Sequence, residues 1–374
     1  MDDEIYSGTV RLDPSAMLGK PAPVEEIGHY LVLISAGQTS RRIQIGETAI
    51  TIGRGQDQAL VISDTSVSRH HARISIVDGE VVAEDLGSTN GTFVNGVRLK
   101  VPRKLVHGAA IKVGNHVLRY ERRSKDDIRR KEALDRELAD ASAYVLSLLP
   151  EPISDGPIQT EWQFVPSTQL GGDAFGYFWL DQQTFVLFMI DVSGHGVGAA
   201  MHSVAVVDVL RQRALPDVNW RNPGQVLASL NNRFQMDRYH GMLFTMWYAV
   251  YDVSSRTLSY SAAGHHPAYL LTPGQGAVTP LGVKAMMVGA TPDLTYPVES
   301  AAIQEGSVLY LFSDGAFEVT SAAGAQGTLN DFVPLIGASR EPGAESDRLL
   351  RTVRQGARPG PLEDDCSILV ATFA

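Results

Sequence analysis

The chain of 374 residues is poor in cysteine, in long apolar runs and in net positive charge. Each shortage removes a class of protein. One cysteine, Cys366, excludes an intrachain disulfide, a cysteine-rich zinc site and a two-cysteine redox motif, and points to a reducing compartment, with the cytoplasm as the expectation. No apolar run approaches the roughly 18 residues a membrane span needs, and the acidic opening Met1-Asp2-Asp3-Glu4 does not read as a signal peptide, so no membrane partner is expected. Lys and Arg number 32 against 42 Asp and Glu, a formal charge of -10, which argues against a nucleic-acid partner held by phosphate neutralisation.

What is present is enough for real cores: 44% hydrophobic residues and 20% charged, in a chain long enough for two or three domains. Residues 1–28 hold three prolines and few apolar positions and read as a disordered tail. From His29 to Tyr120 short alternating runs such as Tyr30–Ile34, Arg42–Ile45 and Arg73–Val77 are punctuated by Asp78-Gly79, Asn90-Gly91 and Asn95-Gly96, the pattern of an all-β sandwich. Residues 121–140 carry fourteen charges, seven of each sign, and Leu134, Leu138, Ala141, Val145 and Leu148 follow at helical spacing, predicting a linker helix over 121–150 that stops at Pro150 and Pro152. Its apolar seam either packs on a neighbouring domain or serves a dimer-forming or signal-transmitting role. Residues 151–374 alternate apolar strand-like runs (Thr184–Ile190, Met246–Asp252, Ser307–Phe312, Ser367–Phe373) with helical stretches near Gly198–Arg213 and Pro223–Asp237, predicting an α+β domain.

Two constellations carry chemistry. In the β region, Gly53-Arg54, Ser68-Arg69-His70-His71 and Gly87-Ser88-Thr89-Asn90-Gly91 all fall in loops and offer a guanidinium, hydroxyls and backbone N–H groups with no paired acid or base, which suits anion recognition without catalysis. Residues 29–120 hold eleven Lys/Arg and seven Asp/Glu, a local +4 in an acidic chain. In the second half, Gly171-Gly172-Asp173, Asp191-Val192-Ser193-Gly194-His195-Gly196, Ser313-Asp314-Gly315 and Glu363-Asp364-Asp365 set aspartates at the ends of apolar runs with few Lys or Arg nearby. Oxygen-only ligands of this kind suit hard divalent cations, Mg²⁺ or Mn²⁺, rather than zinc.

With Arg54, Ser68-x-x-His71 and Thr89-Asn90-Gly91 in this order, residues 29–120 resemble a forkhead-associated (FHA) domain. The resemblance implies a phosphothreonine-peptide reader in which Arg54 and Ser68 meet the phosphate, Asn90 the peptide backbone, and Thr89 and Arg69 assist, while His71 shapes the loop. Over about 135–374, Ser147–Pro150, Gly171–Asp173, Asp191–Gly196, Ala263-Gly-His-His-Pro267, Phe312–Gly315 with Glu318, and Asp364-Asp365 resemble the PPM (type 2C) metal-dependent protein phosphatases of the SpoIIE-like branch. That implies an α-β-β-α sandwich and two Mn²⁺ or Mg²⁺ ions: Asp191 bridges, Asp173 and the Val192 carbonyl complete one site, and Asp314 with Asp364 completes the other, Asp365 being the alternative to Asp364. His195 either protonates the leaving alkoxide or only shapes its glycine-flanked loop; His265 and His266 read as loop formers. Gly176 stands where relatives often carry a second acid, and Gln326-Gly327 replaces an aromatic-glycine pair.

The combined expectation is a cytoplasmic Ser/Thr protein phosphatase guided by a phosphothreonine reader. Its substrate would be a phosphorylated signalling protein, of anti-sigma-antagonist type by the branch resemblance. The reader's partner would be a phosphothreonine protein such as a Ser/Thr kinase or its target. A homodimer through 121–150 is a further expectation. The competing readings are a non-catalytic phospho-dependent scaffold and an FHA domain occupied by a phosphorylated Thr9 of its own tail.

Overall fold

The computed structural model describes residues 26–34, 42–275, 278–337 and 345–374; most of the tail, with Thr9, lies outside the described residues. The chain divides into two compact units, Met1–Asp135 and Arg136–Ala374.

The first unit is a sandwich of two antiparallel-rich sheets. Its strands are β1 (Ile27–Ile34), β2 (Arg42–Ile45), β3 (Ile50–Gly53), β4 (Leu60–Val61), β5 (Ala72–Val77), β6 (Glu80–Asp85), β7 (Thr92–Val94), β8 (Val97–Arg98), β9 (Arg103–Lys104), β10 (Ala110–Val113) and β11 (His116–Ser124). One sheet runs β2-β1-β11-β10-β7-β8 and the other β4-β3-β5-β6-β9. Alternate residues face inward, as the two-residue period requires: Leu31, Ile74, Ala83, Ile111, Val113 and Leu118 form one buried core between the sheets. The site loops thus lie outside the packed strands, held by a rigid frame.

Helix α1 covers Lys125–Ser147 and starts four residues later than the charge pattern suggests. The reason is pairing: Ile27↔Ser124 through Tyr30↔Glu121 extend the sheet into the charged run, so the strand outlasts Tyr120. No residue of α1 is fully buried; of the apolar seam, Leu134 (54% exposed) and Ala141 are exposed, while Leu138, Val145 and Leu148 are half-buried.

In the second unit follow β12 (Ile158–Val165), β13 (Ala174–Trp179), β14 (Thr184–Val192), α2 (Val197–Arg211), α3 (Pro223–Arg233), β15 (Phe244–Asp252), β16 (Thr257–Ala263), β17 (Ala268–Leu271), β18 (Thr279–Leu281), β19 (Glu299–Ala302), β20 (Ser307–Phe312), α4 (Leu329–Phe332), α5 (Glu345–Gly356) and β21 (Cys366–Phe373). They form two five-stranded sheets, β13-β14-β15-β16-β19 and β12-β21-β20-β17-β18. Strand β14 is apolar without alternation because both its faces are covered. Phe185, Leu187 and Met189 pack between the sheets, while Val186, Phe188 and Ile190 pack with Val206, Leu210, Leu227 and Leu230 of α2 and α3. On the far side Tyr310, Ile368 and Val370 pack with Phe332 of α4 and Leu349 and Val353 of α5. The layers are therefore α-β-β-α, the architecture expected from the sequence.

Candidate functional sites

In the first unit three loops are tied together before any ligand arrives. Arg54 N donates to Ser68 O at 2.9 Å, Thr89 N to Ser68 Oγ at 3.0 Å, and Asn90 Nδ2 to Ser66 O at 2.8 Å. His71 is fully buried; its Nδ1 accepts from Ser68 N at 3.0 Å, so its proton sits on Nε2 and is donated to Gly91 O at 3.3 Å. His71 thus joins the Ser68 loop to the Thr89 loop from beneath. Arg54, Arg69, Thr89 and Asn90 are exposed, and among the described residues neither arginine has a carboxylate partner. A free guanidinium and hydroxyls on preorganised loops can hold a phosphate dianion.

Asp85 completes this platform and was not singled out from the sequence. Its carboxylate accepts from Ser88 Oγ at 2.6 Å, Thr92 Oγ1 at 2.7 Å, and the backbone N–H groups of Gly87 and Ser88 at 3.1 Å. Burial works to raise its pKa, yet these donors outweigh it and hold the group below the usual carboxylate range. The available signal was an aspartate two residues before the Gly87-Ser88-Thr89 turn.

In the second unit the aspartates gather from both sheets at strand ends. Asp173 directly precedes β13, whose register sets Ala174 opposite Ile190, so Asp173 and Asp191 are neighbours across that pair. Asp314 follows β20, and Asp364-Asp365 precede β21, its partner strand. The turn at Gly315 has no room for any Cβ, which would collide with the Asp365 carbonyl, so glycine lets the Asp314 turn sit directly on the 364–365 backbone. The Val192 carbonyl oxygen lies against Gly172, beside Asp173.

Burial and neighbouring acids raise the pKa values of Asp173, Asp191, Asp314 and Asp364. Asp191 is pushed up to about 7, first by burial and then by the fields of Asp314, Asp364, Asp365 and Glu318. Asp314 is pushed up to about 6 by burial, Asp364 and Glu318. Asp173, 3% exposed, is driven well above the usual range by burial and by Asp191. Asp364, on the exposed rim, is raised by partial burial and by Asp365, with His195 pulling the other way. Among the described residues none of these four forms an ion pair with Lys or Arg, and no three Asp, Glu, His or Cys side chains close on one point as a ready-made metal group.

Asp365 differs from its neighbour. Its Oδ1 accepts from Ser167 N at 2.7 Å and Ser167 Oγ at 2.9 Å, and its Oδ2 from Gly172 N at 2.6 Å. Both oxygens are thus occupied by protein donors. Ser313 and Ser367, fully buried, bind the same corner: Ser313 Oγ donates to Asp365 O, and Ser367 Oγ to Asp173 Oδ2 at 2.7 Å. Neither serine was flagged by sequence reasoning, although a serine amid apolar strand residues is a signal for a buried hydroxyl with a partner. His195 is exposed between Gly194 and Gly196, both at φ 88, a backbone only glycine adopts freely. His265 and His266 are packed away, their rings tilted against each other, and His266 also meets Phe312 at a tilt and Phe317 edge-on. Cys366 is buried and its thiol is pushed up to about 12 by burial, so it is no nucleophile at neutral pH.

Residues 181–374, more than half of the chain, match the Stage II sporulation protein E (SpoIIE) family. The chain belongs to the SpoIIE family. Residues 50–114 match the FHA domain, so this SpoIIE-family chain carries an FHA domain ahead of its phosphatase fold. It is similar to "Phosphoserine phosphatase RsbP" of Bacillus subtilis (26% identity over 191 residues, 50% of this chain and 46% of that protein). It is also similar to "Phosphoserine phosphatase RsbU" of the same organism (28% over 160 residues, 43% of this chain and 47% of that protein). The chain spans about half the length of these two relatives. Among solved structures, the SiaA-PP2C domain of Pseudomonas aeruginosa has the same fold, with a TM-score of 0.57 at 19% identity, covering 66% of this chain and 99% of that one. No described helix is long and apolar enough to cross a membrane.

Proposed function

We propose that this chain is a metal-dependent protein phosphatase that hydrolyses phosphoserine or phosphothreonine on a signalling protein, while its FHA domain holds a phosphothreonine-bearing partner. The observation that carries the reading is that four carboxylates, Asp173, Asp191, Asp314 and Asp364, gather at the ends of paired strands where burial and neighbouring acids raise their pKa values, without a basic counter-charge among the described residues. Such a set is unstable as charged groups unless cations neutralise it.

The donors fit Mg²⁺ or Mn²⁺, which take oxygen ligands and are commonly held by one or two carboxylates with water completing the shell. A site without three convergent side chains is compatible with that habit. Asp191 would be shared between two ions, Asp173 and the Val192 carbonyl would complete one site, and Asp314 with Asp364 the other. Asp365 is assigned to loop anchoring, because its oxygens already accept three hydrogen bonds. When bound, two such ions supply an acidified water and neutralise charge on the phosphoryl oxygens. His195, exposed beside Asp364, holds the proton that the departing serine or threonine oxygen requires. The buried Ser313 and Ser367 keep the two sheets in step at the site.

Arg54 and Ser68 meet the phosphate in the FHA domain, with Asn90 on the peptide backbone and Thr89 and Arg69 assisting. The names of RsbP and RsbU support phosphoserine as substrate; an anti-sigma-antagonist-type protein is the proposed target, a Ser/Thr kinase or its product the proposed FHA partner, and the cytoplasm the proposed location. The exposed seam at Leu134 supports a homodimer through the linker helix. The deciding test is phosphate release from a phosphoserine peptide with and without Mn²⁺, beside Asp191→Asn. Turnover is expected only with Mn²⁺, and the substitution should reduce it at least about 10³-fold. Equal turnover by the variant refutes the assignment, and no turnover by either protein favours the scaffold.

A further inference from the structure

The outer face of the six-stranded sheet in the FHA unit presents a row of cations. Register sets Arg98 beside Phe93, Phe93 beside Lys112, and Lys112 beside Val117, while one step along the strands Ala110, Arg119, Val32 and Arg42 lie in line. Because partners share a face, Arg98, Lys112, Arg119 and Arg42 project from the same side, opposite the core residues Ile111, Val113 and Leu118. All four are exposed. Among the described residues Arg98, Lys112 and Arg119 form no ion pair, and Arg42 only a 3.7 Å contact with Glu121. Glu121, the single acid that the register of these strands puts on this face, is 7% exposed and is also taken by Arg123 at 2.8 Å.

The row begins at the phosphate loops. A Cβ added at Gly91 would fall 2.5 Å from Arg98 Nε, so the Arg98 side chain lies on the backbone that follows Thr89 and Asn90. From Arg98 to Arg42 the row crosses five strand spacings of about 4.8 Å, roughly 24 Å. An extended segment of about seven residues covers that distance. Lys112 and Arg119 lie diagonally on adjacent strands, where like charges repel, in a chain of net charge -10.

We propose that this face is a second recognition surface for an acidic peptide segment flanking the phosphothreonine. The inference rests on the FHA domain reading phosphothreonine: the phosphate loops hold the modified residue, and the row from Arg98 through Lys112 and Arg119 to Arg42 holds neighbouring Asp, Glu or further phosphorylated residues. Selectivity then comes from charge along the partner's chain as well as from one phosphate.

The test uses the full chain and two synthetic phosphothreonine peptides that differ only in having Asp and Glu, or Asn and Gln, on both sides of the modified residue. The acidic peptide is expected to bind about tenfold tighter at low salt, with the advantage largely gone near 0.5 M salt. In Lys112→Glu/Arg119→Glu the ratio of the two Kd values should fall to about one. A wild-type ratio near one, or a ratio that survives the charge reversal, overturns the proposal. So does row-dependent binding of a DNA duplex in place of the acidic segment. Failure of the phosphothreonine reading looks different, as no binding of either peptide, and overturns both.

Discussion

Asp85 and Asp191 are the same residue at the same kind of place, the end of a strand, and their environments pull them in opposite directions. Asp85 is surrounded by donors, from Ser88, Thr92 and two backbone N–H groups, and is held below the usual range. Asp191 is surrounded by acids and is pushed up to about 7. The first arrangement is finished: the FHA loops are hydrogen-bonded into shape with Arg54 left over for an anion. The second is unfinished, with negative charge in excess. Under the proposed function the two units would meet phosphate with opposite electrostatics, one by its own cations and the other through cations it would acquire.

If that contrast holds, removing one carboxylate and removing one guanidinium should have separable effects. The largest is Asp191→Asn, expected to abolish Mn²⁺-dependent turnover while leaving the phosphothreonine-peptide Kd unchanged when both are measured on one preparation. Next, Arg54→Ala should weaken phosphopeptide binding by about 2–3 kcal/mol, roughly 30- to 150-fold by calorimetry, because one charge-assisted contact set is lost. Turnover of a small phosphate ester should not move with it. A fall in both would erase the distinction between the units.

A smaller effect is stability. The folded-state pKa of Asp191 is raised, so protonation favours the folded metal-free protein; that contribution is full below about pH 4 and is lost as pH rises through about 7. The melting temperature of the metal-free chain should therefore fall between pH 6 and pH 8, and both saturating Mn²⁺ and Asp191→Asn should flatten the slope. A slope unchanged by Asp191→Asn would place the pH dependence elsewhere. The smallest expected effect concerns Leu134 and Leu138: replacing both by Lys should return a light-scattering dimer to monomer, a modest change for a seam of under three heptads.

Much of this architecture was legible in the sequence, and the reasons are specific. The unbroken run Thr184–Ile190 announced a strand buried on both faces, and it lies inside β14 with Asp191 where the run breaks. Pro150 and Pro152 announced the end of α1. The start of α1 was not legible, because Glu121–Ser124 are polar and charged like the helical residues that follow, whether they pair with β1 or wind into a helix; only the partner strand decides. The distinction between Asp364 and Asp365 was also hidden. They are adjacent and identical in the sequence, and the donors that claim Asp365, Ser167 and Gly172, lie almost 200 residues away. Ser313 and Ser367 escaped for the same reason.

The acidic site is assembled from two sheets, with Asp173 and Asp191 on one and Asp314 and Asp364 on the other. Its spacing is therefore a gauge of how the two layers of the sandwich are registered against each other. A slip of one layer past the other, too small to break any strand pairing, would reset the distance between the two carboxylate pairs.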